Sequence, residues 1–232
     1  MSASRRSRGH RVRRVVVVFC HPVRESLVGA ATDRTMAALQ TIGHDVRLID
    51  LYGEHFDPVL DAAGLKAHLD APETKTHLTR VAASLRWCDT LVFVYPTWFG
   101  SQPAMLKGWF DRMLAHGVAF ALPSTSGAVS SATEAAPTFV ERLLRLVFRS
   151  DNRIRPTLTN VRRLLVVTTH GSPKWINAIQ GEPGKRVILR GIRSLCHPFA
   201  TSRWISFYDN DQADQRDRAD FLNRVEAEML RL

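Results

Sequence analysis

The sequence predicts an α/β protein, a doubly wound, five-stranded parallel sheet with helices on both faces. Two observations carry that expectation. The runs VVVVF at 15–19 and TLVFVY at 90–95 have the unbroken hydrophobicity of strands buried on both faces. Such runs alternate with segments of helical period, and strand–helix alternation means parallel neighbours joined by right-handed crossovers. Five strands then fit the order 2-1-3-4-5, with an insert before strand four.

The elements follow in order. Arg13 to Phe19 reads as the first strand, ended by a His-Pro turn. Ser26 is placed to cap a helix running to about Thr41, with Gly43 as its stop. Asp45 to Leu51 alternates as strand two. Tyr52 to Thr74, with Pro58, Gly64 and Pro72, reads as a long connection, and Thr74 to Arg86 as a helix. Thr90 to Tyr95 is strand three, ended by Pro96, and a helix from about Pro103 to Leu114 follows. Leu164 to Thr169 is strand four, Lys185 to Leu195 a helix, Trp204 to Tyr208 strand five, and Ala213 to Leu230 the closing helix. The insert, about 124–155, divides into a Ser/Thr/Ala-rich loop from Pro123 to Pro137 and a short amphipathic helix from Thr138 to Phe148.

The chain has 232 residues, 45% apolar and 23% charged, which excludes disordered and fibrous classes. Val15 to Phe19 is too short to cross a bilayer or to serve as a secretory core. Cys20, Cys88 and Cys196 form no CxxC pair, as expected in a reducing, cytoplasmic setting. The net charge is +10. Residues 1–14 hold six arginines and no acid, and residues 141–163 hold seven arginines against Glu141 and Asp151. The rest of the chain is therefore close to neutral. Residues 1–13 read as a disordered basic arm suited to an anionic surface, followed by one domain over 14–232. No recognition motif or basic–aromatic groove points to specific nucleic-acid binding.

In doubly wound sheets, ligands bind beyond the carboxyl ends of the strands at the switch point, here between strands one and three. Three loops gather there. CHPVRESLVGA (20–30) opens a helix, whose free amides and dipole suit a phosphate. Ser26 adds a hydroxyl, and His21 and Arg24 add hydrogen bonds or charge. YPTWFGSQPAMLKGWFDR (95–112) places Trp98 and Phe99 in a turn, and exposed aromatics there call for a flat ring to stack on. TTHGSPKW (168–175) points backbone donors across the same crevice, with Trp175 as a wall. Neither a GxGxxG nor a GxxxxGK[ST] string occurs, and HExxH and GxSxG are also absent.

With these strings and GHDVRLIDLYGEHFDPVL, the chain resembles the NAD(P)H quinone dehydrogenase family of flavodoxin-like flavoproteins from about Val15 to Phe207, outside the insert. The resemblance implies a bound flavin, FMN or FAD, and ping-pong hydride transfer from NADH or NADPH to a quinone-like small molecule. It also implies a homodimer that completes the site. His21, Ser26 and Leu27 match the family's phosphate loop, and Pro96, Thr97, Trp98 and Phe99 match the flavin cradle. Thr168, Thr169, His170 and Gly171 match the loop at the flavin's pyrimidine edge. His170 stands where a glycine is common, and it is the candidate proton donor. Val28 stands where many members have Asn. The tyrosine and histidine that stabilise the charged flavin in animal quinone reductases have no counterparts near Trp175 and Gln180. Lys174 is placed to meet the dinucleotide's phosphates. Two other roles share the same flavin: an ancillary subunit docking on a potassium-efflux transporter, and an azo or nitroaromatic reductase.

Overall fold

The computed structural model describes residues 11–68, 76–122 and 154–232. The basic arm up to residue 10 and almost all of the insert, with its expected loop and helix, lie outside the described residues.

Five parallel strands form the main sheet: β1 (Arg14–Phe19), β2 (Asp45–Asp50), β3 (Thr90–Thr97), β6 (Arg163–His170) and β7 (Thr201–Phe207). Their order is β2-β1-β3-β6-β7, the expected 2-1-3-4-5 pattern once the main-sheet strands alone are counted. The remaining two strands, β4 (Phe120–Ala121) and β5 (Arg155–Pro156), pair antiparallel and bring together the chain on either side of the insert.

Strand alternation explains the unbroken apolar runs. Val16 and Val18 of β1, with Leu91, Phe93 and Tyr95 of β3, join the core on one face. Helices α3 (Thr76–Trp87) and α4 (Ala104–Met113) cover that face, the latter through Leu106 and Trp109. Val15 and Val17, with Val92 and Val94, join the core on the opposite face. There α1 (Leu27–Thr41) and the final helix α7 (Gln215–Met229) supply Val28, Leu39, Phe221 and Val225. Buried on both sides, every position in these strands favours an apolar side chain.

Four local expectations change. The connection after β2 contains a helix, α2 (Ala62–His68). The third loop continues into α5 (Lys174–Ile179), which Pro173 initiates. The single helix expected at Lys185 to Leu195 is broken into three parts. An α turn (α6, Pro183–Arg186) starts with proline, a wider π turn covers Val187–Gly191, and a 3₁₀ turn covers Ile192–Leu195. Gly191 sits where the π turn gives way, a usual place for the ladder to change. Finally, β3 and β6 run two and one residues further than expected, pairing Pro96 with Thr169 and Thr97 with His170. Pro96 lacks a donor but falls at the strand's end, where only one ladder bond is forgone. Among the described residues, no helix is long and apolar enough to cross a membrane.

Candidate functional site

A cavity of about 450 Å³ opens at the carboxyl ends of β1, β3 and β6. Ten of the eleven expected site residues line it: His21, Ser26, Leu27, Pro96, Thr97, Trp98, Phe99, Thr169, His170 and Gly171. Thr168 lies just behind the wall, buried, with its hydroxyl 2.9 Å from that of Thr97. That bond ties the β3 and β6 ends together beneath the cavity floor.

The first loop is shaped for an anion. Ser26 is the N-cap of α1, and its Oγ accepts from the Gly29 amide at 3.2 Å. The hydroxyl proton stays free to donate outward. The next amides, those of Leu27 and Val28, have no carbonyl one turn back in the helix and face the cavity rim with the positive end of the dipole. His21 fixes the loop: its Nδ1 lies 3.0 Å from the Val23 amide and 2.8 Å from the Val23 carbonyl. Arg24 departs from expectation. Its guanidinium donates to the Gly29 carbonyl at 3.0 Å, pairs with Asp33, and lies over the Phe19 ring. It ties down α1 from outside and does not line the cavity.

The second loop holds an unusual turn. Trp98 and Ser101 exchange both backbone hydrogen bonds at 3.0 Å. The two residues between them, Phe99 and Gly100, have φ of +49° and +73°. That is the sign pattern of a type I′ turn, which favours Asn-Gly. A phenylalanine there costs on the order of 1–3 kcal/mol of backbone strain. It also leaves the Phe99 ring fully exposed and Trp98 half exposed. Strain and uncovered aromatic surface at a cavity mouth mark a surface shaped for a flat ligand. The turn is pinned from behind: the Gly184 amide donates to the Gly100 carbonyl at 3.1 Å, and Gln102 Nε2 to the Gly184 carbonyl at 2.6 Å.

In the third loop Gly171 lets the Asp211 carboxylate approach closely, since an added Cβ would sit 2.5 Å from it and the side chain would have to swing aside. His170 is buried, and its Nδ1 lies 2.8 Å from Asn177 Oδ1. The Asn177 amide nitrogen donates to Ser172 and to the Pro173 carbonyl, so Oδ1 is the acceptor and Nδ1 carries the proton. Nε2 is buried without a partner among the described residues. The ring stacks on Tyr208 at 4.4 Å. Burial holds its pKa below the usual histidine value, against the opposing pull of Asn177 and Glu182. His170 thus lies in the lining as a neutral ring whose Nδ1 proton is taken by Asn177 and whose Nε2 is buried, which is poor geometry for the proton donor expected of it.

Sequence reasoning missed Asn177, Gln180, Asn210 and Asp211 in the lining. The last two come from the end of β7, a strand outside the three expected to contribute. They arrive through the backbone, Asn210 N to the His170 carbonyl at 3.0 Å and Asp209 N to the Ser172 carbonyl at 3.1 Å. The DND turn with left-handed Asp209 was the available signal. Among the described residues, Asp211 is the one Asp, Glu, Lys or Arg in the lining. Trp175 is exposed and, like Lys174, stands outside the cavity.

The donor set fits a flavin mononucleotide unit: helix-terminal amides with a hydroxyl for a phosphate, an exposed aromatic turn for a flat ring, and backbone at its edge. A family profile described as flavodoxin-like fold matches residues 13–228. The chain belongs to that family. Among curated relatives, the ribosyldihydronicotinamide dehydrogenase-like protein traD of Penicillium crustosum is 31% identical over 120 residues, 45% of each chain. The NAD(P)H dehydrogenase [quinone] 1 of Cavia porcellus is 29% identical over 126 residues, 47% of this chain and 46% of that one. The chain thus spans about half the length of the curated relatives it matches. Among solved structures, the NAD(P)H:quinone oxidoreductase of Methanothermobacter marburgensis superposes with a TM-score of 0.71. It covers 95% of this chain and 98% of its own at 19% identity, a likeness of fold.

Proposed function

We propose that the protein is a flavin-dependent NAD(P)H oxidoreductase acting on quinones or similar small acceptors, with FMN or FAD in the cavity between β1 and β3. The observation that carries this reading is the strained Trp98–Phe99 turn, which presents exposed aromatic surface opposite the amide-rich start of α1. The names of the relatives support it.

In this reading Ser26 and the amides of Leu27 and Val28 bind the flavin's phosphate. Pro96 to Phe99 hold one face of the ring system, and Thr169 and Gly171 meet its edge. When bound, the flavin supplies the hydride chemistry, accepting from a reduced nicotinamide and passing electrons to the acceptor. The chain's task is then to bind and orient. Trp98 and Phe99 leave one face open to the two substrates in turn. His170, neutral and held by Asn177 and Tyr208, stiffens the third loop, and the quinol's protons come from solvent. We place the protein in the cytoplasm as a homodimer whose second copy borders the open face.

The experiment is an anaerobic titration of flavin-loaded protein. The flavin absorbance should bleach with NADH or NADPH and return on adding a benzoquinone, with parallel-line steady-state kinetics. Protein that binds flavin but is bleached by neither nucleotide would overturn the proposal.

A further inference from the structure

A second cavity, of about 380 Å³, adjoins the first along α5. Asn177 and Gln180 line the first cavity, and Ala178 and Gly181 line the second. The wall of the second is otherwise Glu182, Lys185, Arg186, Leu189 and Arg190, three cations against one carboxylate. Glu182 is already engaged, accepting from Tyr208 at 2.8 Å and from Lys185 at 2.9 Å. The guanidiniums of Arg186 and Arg190, about one turn apart, make no hydrogen bond or ion pair with any described residue. Like charges at that spacing repel, and a shared anion relieves the repulsion. Paired guanidiniums match a phosphate's oxygens in fork geometry. Ala178 and Leu189 add an apolar wall, so the cavity offers one surface for a phosphate and another for a ring.

We propose that this cavity takes the adenosine 2′-phosphate of the hydride donor, with Arg186 and Arg190 holding the phosphate, and so selects the phosphorylated dinucleotide over the unphosphorylated one. The inference rests on the flavoprotein reading and deepens it. The nicotinamide end enters beside Trp98 and Phe99, and the adenosine end crosses the last turn of α5. Residues 177, 178, 180 and 181 alternate between the two linings, so the two cavities share one wall. Lys174, the residue first offered for this task, lines neither cavity.

The test uses the full chain without flavin, titrated by calorimetry with adenosine 2′,5′-bisphosphate and with AMP as probes. The bisphosphate should bind at least about tenfold more tightly. The double variant Arg186→Ala, Arg190→Ala should bring the two probes within about twofold, while Arg186→Lys, Arg190→Lys should retain part of the preference. In flavin-loaded enzyme the ratio of kcat/KM for NADPH over NADH should fall by about tenfold in the alanine variant. Wild-type protein that does not distinguish the probes, or an alanine variant that still does, would overturn the assignment. A parallel flavin titration reports failure of the underlying flavoprotein reading separately.

Discussion

Gly29→Ala is expected to weaken flavin binding by about a hundredfold, roughly 2.7 kcal/mol. Propensity alone argues the reverse, since alanine in a helix outperforms glycine by about 1 kcal/mol. Geometry decides. Gly29 sits in the first turn of α1, and a Cβ there would lie 1.9 Å from the Arg24 carbonyl oxygen. That atom is backbone, so no rotamer change relieves the clash. The 20–26 loop must move, carrying with it the Ser26 cap and the amides offered to the phosphate. The rest of α1 packs through Val28, Ala31 and Leu39 and keeps its place, so the fold should survive with a melting temperature a few degrees lower. Gly191→Ala is the control: nothing lies within 4 Å of its added Cβ, and its φ is −64°. Flavin fluorescence titrations of both variants are the measurement. A Gly29→Ala affinity within about threefold of wild type would show that this loop does not hold the cofactor.

Trp109→Ala should lower stability by about 3–5 kcal/mol, a large share of the roughly 5–15 kcal/mol available to a domain. Trp109 is fully buried on α4, edge-on to Phe93 of β3 and to Phe110, with ring centroids 6.0 Å away in both cases. It joins the helix after the aromatic turn to the strand before it, so its loss opens a void between that helix and that strand. The indole nitrogen is buried without a partner among the described residues. Trp109→Phe removes that unpaired donor along with part of the ring, and should cost only about 1–2 kcal/mol. Urea unfolding of the two variants separates them: both midpoints should fall, alanine much further, with the slope unchanged. Equal losses in the two variants would contradict this account of the packing.

The sheet was legible because its three central strands, β1, β3 and β6, are buried on both faces. Val15 to Phe19 could hardly be anything but an interior strand, and strand–helix alternation then fixed the order. The three cavity loops were legible for the same reason, since strand ends at a switch point converge wherever the sheet order reverses. Tertiary partnership was not legible. Arg24 looked like a phosphate ligand, but Asp33 and the Gly29 carbonyl, on the next helix turns, claim it. His170 looked like a proton donor from its ordinary pKa, but Asn177 and Tyr208, from α5 and the end of β7, hold it. Asn210 and Asp211 are brought to the site by backbone bonds from Asp209 and Asn210 to β6's loop, which side-chain chemistry in the sequence does not reveal. Likewise, in the broken helix after Glu182, Gly191 was the one interior sequence signal of the interruption.

The central claim is that the loops after β1, β3 and β6 form one flavin site. A fluorescence titration of flavin-free protein with FMN and with FAD tests it most directly. The account predicts saturable, one-to-one quenching of at least one flavin at low micromolar concentration, since the ring lies against Trp98, with the quenching lost in Trp98→Ala, Phe99→Ala. Neither flavin being quenched at concentrations tenfold above that range, by protein that is folded, would contradict it.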